Sequence, residues 1–135
     1  MPSWLFKSDP DTYSLDDLER ESRATWDGVA NNTALIHLRK TAPGDEVLIY
    51  HSGDEKAVVG VAKVVKGGYP DPKKKDPKLA VCDLEFVKRL RAPVALSVLK
   101  AEKGLSQFDL IRISRLSVMP VSASHRALLS KLGVR

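Results

Sequence analysis

The sequence predicts an α+β domain in which a mixed sheet curves into a small closed or half-closed barrel, flanked by short helices. Two neighbouring apolar runs, residues 46–52 and 56–65, are separated by a glycine-containing loop and form a β-hairpin. The first run is apolar on both faces, which requires burial on both sides, as in a barrel wall. Strand and helix patterns are mixed along 135 residues without a linker. We therefore predict one domain over residues 1–135.

In the N-terminal part, the predicted elements surround an Asp-Gly turn. The expected order is a strand at residues 3–8, a short helix capped by Ser14, a loop over residues 25–32, and a helix over residues 33–39 capped by Asn31 or Asn32. The central hairpin follows. Its second strand carries Gly60 in mid-strand, which indicates a bend or a close backbone approach.

In the C-terminal part, a loop rich in glycine, proline and lysine at residues 67–78 precedes a strand at residues 80–89, which Pro93 ends. A weak helix over residues 96–102 and a short turn or helix at residues 110–114 come next. A strand at residues 115–121 leads into a last helix, capped by Ser122 or Ser124 and ended by Gly133.

The formal net charge of +5 is unevenly distributed. Residues 1–46 carry five Lys/Arg and nine Asp/Glu, a balance of −4, so residues 47–135 hold the balance of +9. This division favours a basic side that meets a polyanion. A lysine-rich surface that serves only solubility explains the same numbers.

Composition and motifs exclude several classes of protein. The single cysteine excludes a disulfide framework and a cysteine-rich zinc site, and it is typical of a reducing compartment. No leader-like or membrane-length apolar run is present, so we expect a soluble protein, cytoplasmic in a bacterium or nuclear in a eukaryote. Nucleotide-binding, metalloprotease and serine-hydrolase motifs are missing, and the three histidines lack ligand spacing. We therefore expect no catalytic residue, no metal site and no cofactor.

Polar and aromatic residues near the strand ends are candidates for a binding site. Trp26, fixed beside the Asp27-Gly28 turn, is either a stacking platform for a planar ligand or a core residue beneath the loop. The end of the first hairpin strand, Tyr50 to Ser52, is a second place to look. Lys7 offers an ammonium group to a phosphate or a base carbonyl, or protects a sheet edge.

Several segments together resemble the EVE domain family, in the order and at the spacing typical of that family. They are WLFKSDPDTYSLDDL, TWDGVANN, GDEVLIYHS, VVGVAKVV, GGYPDP and IRISRLSVMPV. The resemblance implies a PUA-like mixed β-barrel, related to PUA, ASCH and YTH domains, with no established catalytic activity. It also implies a pocket for a modified base, lined by Lys7, Trp26, Asn31, Tyr50, His51, Ser52 and Ser117. Ala30 and Asn32 stand where the family usually has an arginine and an aromatic residue.

The resulting hypothesis is a monomeric, non-catalytic module that reads modified cytosine in DNA and has no membrane partner. Stacking on Trp26 would hold the base, and backbone phosphates would meet Lys73, Lys74, Lys75, Lys78 and Arg115. The lysines could equally be solvated without contacting nucleic acid. An RNA-binding or nucleoside-binding module is the alternative, and an unrecognised hydrolase or nuclease is the third class.

Overall fold

The computed structural model describes residues 2–76 and 78–135. The strands are β1 (Ser3–Ser8), β2 (Arg23–Trp26), β3 (Glu46–His51), β4 (Ala57–Pro70), β5 (Ala80–Ala95) and β6 (Val118–Val121). The helices are α1 (Leu15–Glu21), α2 (Asn32–Arg39), α3 (Leu96–Ala101), α4 (Asp109–Arg112) and α5 (Ala123–Lys131), with a 3₁₀ turn at Lys103–Leu105.

The six strands form one mixed sheet in the order β2-β5-β4-β3-β1-β6. Strands β1 and β3 are parallel, and the other neighbouring strands are antiparallel. Within the residues described, the edge strands β2 and β6 do not pair with each other, so the predicted barrel is present in its open rather than its closed form. The α+β class is confirmed.

The sheet curves strongly enough to bring its distant strands together. The rings of Phe6 in β1 and Trp26 in β2 lie 5.7 Å apart, although three strands separate β1 from β2 in the sheet order. Helix α2 contacts β6 on one side of the gap and β4 and β5 on the other. The gap between the sheet edges is therefore partly covered by a helix and partly left as space.

Close backbone approaches explain glycines in β4. A Cβ atom on Gly60 would lie 2.6 Å from Leu15 Cδ2 and 2.9 Å from the Lys88 carbonyl oxygen, and the β4 register shifts beside it. The predicted close approach at Gly60 is confirmed. A Cβ atom on Gly68 would lie 2.5 Å from the Leu38 carbonyl oxygen at the end of α2. These contacts let α1 and α2 pack directly on the sheet.

Several boundaries differ from the sequence prediction, and β6 begins at Val118 rather than at residue 115. Strand β2 occupies residues expected to begin a loop, because Arg23–Trp26 pairs with β5 from Glu85 to Cys82. Strand β4 continues to Pro70, and β5 continues past Pro93 to Ala95. Arg89 pairs with Gly60 of β4 and Val94 pairs with Val58, so residues 90–93 form a bulge between these two pairs. Pro93 is tolerated in the bulge because an N–H group is not needed there for pairing with β4.

Candidate ligand-binding site

An open cavity of about 430 Å³ lies at the gap between the sheet edges. We call it the base cavity. Its walls come from the end of β1 and the loop after it, from β2 and the turn after it, and from the residue that precedes β6. The lining residues are Lys7, Ser8, Asp9, Thr12, Tyr13, Thr25, Trp26, Asp27, Gly28, Val29 and Ser117. The volume lies within the range of small-molecule sites.

Trp26 is held rigidly in the wall of the base cavity. Its ring packs against Phe6 at 5.7 Å and edge-on against Tyr13 at 5.9 Å, with an interplanar angle of 90°. Only 8% of the residue is exposed, so most of the indole belongs to the core. The sequence left open whether Trp26 is a core residue or a ligand platform. The structure places it in the core and on the cavity wall.

The turn after β2 forms one side of the cavity entrance. Gly28 has φ +77°, a conformation that favours glycine, and a Cβ atom there would meet nothing within 4 Å. Asp27 is exposed beside it, and Asp9 lines the opposite part of the wall. Sequence reasoning missed both carboxylates as lining residues, although Asp27 directly follows Trp26.

Lys7 and Ser117, two of the predicted site residues, both line the base cavity. The Lys7 backbone N–H donates to the Ser117 carbonyl at 2.8 Å, which extends the contact between β1 and the chain entering β6. The Lys7 ammonium group donates to the Ser114 carbonyl at 2.8 Å and lies 5.8 Å from the centre of the Tyr50 ring. Burial lowers the pKa of Lys7 below its usual value.

Four other predicted site residues lie outside the base cavity. Asn31 caps α2, since its side-chain oxygen accepts from the Ala34 N–H at 3.0 Å. Tyr50 and Ser52 border a second cavity, which Lys7 also lines. His51 is buried. None of the four lines the wall that holds Trp26.

Both ring nitrogens of His51 have protein partners. Its Nε2 accepts from the Leu15 N–H at 3.0 Å, and its Nδ1 lies 2.6 Å from Glu55 Oε1. With Nε2 as acceptor, the proton of the neutral ring lies on Nδ1 and points to Glu55. His51 therefore fixes the first turn of α1 to the end of β3, a structural role.

No cluster of three or more His, Cys, Asp or Glu suited to a metal ion occurs in residues 2–76 and 78–135. Cys82 is buried, and burial together with the Asp83 charge raises the pKa of its thiol to about 12. At neutral pH this thiol is protonated and inaccessible.

Comparison with known proteins shows the family. The EVE domain model matches residues 3–132. The chain belongs to the EVE domain family. Mouse thymocyte nuclear protein 1 is 32% identical, with 88% of this chain aligned to 68% of that protein.

Solved structures agree with this assignment. Human THYN1 in complex with DNA containing 5-methylcytosine matches with a TM-score of 0.91 and 27% identity, covering 100% of this chain and 99% of that one. The MmI1 YTH domain matches at 12% identity with a TM-score of 0.59, over 98% of this chain and 94% of that one, a likeness of fold alone. Together they confirm the predicted PUA-like fold.

The basic residues predicted to meet a nucleic-acid backbone are exposed in this EVE domain. Lys73, Lys74, Lys75 and Lys78 lie in the loop between β4 and β5, and Arg115 lies two residues before Ser117. Asp71 and Asp76 accept backbone hydrogen bonds within the same loop. Residues 71–76 therefore combine lysines with carboxylates that accept backbone hydrogen bonds. Pro77 falls outside the described residues, and no helix among them is long and apolar enough to cross a membrane.

Proposed function

We propose that this EVE domain is a non-catalytic nucleic-acid-binding module that reads a modified base, with modified cytosine in DNA as the favoured target. The observation that carries the proposal is the base cavity with Trp26 in its wall, at the gap in the sheet. The complex of human THYN1 with 5-methylcytosine-containing DNA supports the choice of target.

The chemistry of the cavity fits a neutral heterocycle better than a phosphate. An indole wall offers stacking worth about 1–3 kcal/mol per base. Two carboxylates, Asp9 and Asp27, line the same space with only one lysine, Lys7. Carboxylates accept hydrogen bonds from an exocyclic amino group such as cytosine N4, and they repel phosphate. The base edge therefore enters the cavity, and the sugar and phosphates remain outside.

The energy balance requires contacts beyond the cavity. Extruding a base from a duplex costs a few kcal/mol, about as much as the stacking returns. Phosphate contacts from exposed cations such as Arg115 and the lysines of residues 73–78 supply the remaining affinity. Affinity should therefore fall steeply with salt, while the preference for the modified base should not, because that preference arises in the cavity.

Paired titrations test the proposal. Labelled oligonucleotides that differ only in cytosine or 5-methylcytosine are titrated with the protein as single strands, duplexes and RNA, at two salt concentrations. We expect tighter binding to a modified DNA strand, with a preference that persists as total affinity falls with salt. Equal affinity for modified and unmodified partners in every pair would contradict base reading. A requirement for the 2′-hydroxyl would show an RNA-binding module instead.

A further inference from the structure

A second cavity, of about 280 Å³, lies at the same end of the sheet as the base cavity. We call it the lysine cleft. Its lining residues are Lys7, Tyr50, Ser52, Gly53, Lys56, Leu96, Lys100, Leu110, Ile111 and Ser114. Strands β1 and β3 are parallel, so their carboxyl ends meet at one edge of the sheet. Such edges commonly hold ligands in sheets with parallel strands.

The charged side chains that line the cleft are all basic. Three lysines, Lys7, Lys56 and Lys100, line it, and no aspartate or glutamate is among the described residues that do so. The adjoining loop carries two carboxylates outside the lining: Asp54 is exposed, and Glu55 lies 2.6 Å from His51 Nδ1 and is engaged there. Lysines around a concave space with no acidic residue in its lining favour an anion.

Tyr50 provides an independent indication of a ligand. The residue is only 3% exposed, yet its hydroxyl group makes no hydrogen bond to any residue that the structure describes. Among the described residues, every fully buried side-chain N or O atom has a hydrogen-bond partner. Because the Tyr50 hydroxyl has none, it is not fully buried, and it opens onto the cleft that Tyr50 lines. A phenol is protonated at neutral pH and can donate a hydrogen bond, and burial raises the pKa of Tyr50 further above that range. A nearly buried donor that faces a cationic space fits a phosphate oxygen.

Lys7 connects the two cavities, because it lines both. Its backbone pairs with Ser117 on the side of the base cavity, and its ammonium group points to Ser114 in the lysine cleft. Lys7 and Tyr50 are register partners in β1 and β3 and share one face of the sheet, whereas Phe6, which packs on Trp26, lies on the other face. A nucleic-acid strand that crosses the end of β1 therefore contacts both faces of the protein's sheet.

From this arrangement we propose that the lysine cleft binds a backbone phosphate of the strand whose modified base occupies the base cavity, with Lys56, Lys100 and the Tyr50 hydroxyl as donors. The inference rests on the proposed function and adds to it. The carboxylates of the base cavity exclude phosphate, and the cleft on the other side of Lys7 accepts it.

Two variants remove the donors without disturbing the core. Lys56 has φ +46°, a conformation that glycine adopts freely, and Lys100 is exposed on α3. The double variant Lys56→Gly/Lys100→Gln therefore removes two charges from a folded protein. Tyr50→Phe removes only the hydroxyl group. The control, Lys88→Gln/Lys131→Gln, removes two exposed charges that line neither cavity.

The experiment is a double-mutant cycle that combines the loss of positive charges from the protein with the loss of one negative charge from the oligonucleotide. Each protein is titrated with a series of single-stranded oligonucleotides that carry 5-methylcytosine. In each member of the series, a neutral methylphosphonate replaces the phosphate at a different backbone linkage. For the wild type and the control, we expect one linkage near the modified base at which the replacement weakens binding about tenfold. For the cleft variant that loss should disappear, and the slope of log K against log[salt] should fall by about 0.7. Tyr50→Phe should lose part of the same effect.

The outcomes separate the two proposals. If the cleft variant loses affinity no more than the control, and the methylphosphonate effect is unchanged, the phosphate assignment is overturned. If the preference for 5-methylcytosine persists in that case, the proposed function stands and only the phosphate site is rejected. If the wild type binds no oligonucleotide, the proposed function fails and this inference fails with it.

Discussion

Tyr13 meets Trp26 edge-on, with ring centroids 5.9 Å apart and planes at 90°. The Tyr13 hydroxyl donates to Glu21, so the phenol ring is anchored to α1 while its edge supports the indole. Phe6 supports the same indole at 5.7 Å. The part of Trp26 that faces the base cavity is therefore held in place before a ligand arrives, which reduces the entropy lost on binding.

Replacing Trp26 by leucine should weaken binding of a 5-methylcytosine oligonucleotide by about fivefold or more. The reason is the lost stacking surface, worth about 1–3 kcal/mol. Because Trp26 is also a core residue, the variant should unfold at lower denaturant concentration than the wild type. Fluorescence anisotropy with a labelled strand gives the affinity.

The matched control for that variant is Phe108→Leu. Phe108 is buried and contacts the His125 ring at 5.5 Å, away from the base cavity. It should reduce stability and leave the affinity unchanged. Equal affinity losses in the two variants would show that Trp26 affects binding only through stability.

Substitution of His51 by alanine should destabilise the fold and leave the preference for the modified base intact. The Leu15 N–H and the Glu55 carboxylate would lose their partner, at a cost of about 1–3 kcal/mol. Urea denaturation measures the first effect, and the paired titrations measure the second. Loss of the preference for the modified base in a fully folded His51→Ala protein would show that His51 contributes to base binding.

Gly60→Ala should destabilise the protein by about 1–3 kcal/mol, because the added methyl group would overlap Leu15 and the Lys88 carbonyl. The double variant Leu15→Ala/Gly60→Ala should cost less than the two single changes added together, since a smaller residue 15 leaves room for the methyl group. Thermal and urea unfolding of the four proteins provide the cycle. Strict additivity would contradict the close approach of α1 to β4.

The stability of the protein should depend on Glu46 at acidic pH. Although burial alone would raise the pKa of Glu46, hydrogen bonds from Arg126 at 2.6 Å and Ser3 at 2.9 Å hold it below its usual value. A carboxyl group with a depressed pKa in the folded state stabilises the protein above its unfolded pKa. That contribution is lost as pH falls through the folded value.

Glu46→Gln should therefore be less stable than the wild type at neutral pH by about 1–3 kcal/mol, and the two proteins should converge as the pH falls below the usual glutamate range. Urea unfolding at a series of pH values measures the difference. Parallel stability curves for the two proteins would show that Glu46 has no special role.

The sequence was informative wherever local patterning decides the structure. Apolar runs predicted β1, β3 and the first part of β4, and alternation predicted β5. Ser14 caps α1 as expected, and of the alternatives left open, Asn31 caps α2 and Ser122 caps α5. Strand β2 was missed because Arg23–Trp26 is only four residues long and mostly exposed. Its conformation comes from pairing with β5, which lies about sixty residues later in the chain.

The candidate site was only partly predictable for the same reason. Lys7, Trp26 and Ser117 meet at the gap in the sheet, and that gap is a property of the whole topology. His51 looked like a binding residue because it is polar and lies at a strand end, but its partners include Leu15, thirty-six positions earlier. The lysine cleft joins residues from β1, β3 and α3, and no local motif marks it.

Fluorine NMR of protein labelled with 5-fluorotryptophan tests the central claim most directly, since the chain has two tryptophans. The Trp26 resonance, assigned by its loss in Trp26→Phe, should shift on saturation with a 5-methylcytosine oligonucleotide and shift less with the cytosine strand. Trp4, whose indole donates to Asp45 at 2.9 Å in the core, should not move. A Trp26 resonance that stays unchanged while the modified strand is bound would contradict the claim that a base stacks in this cavity.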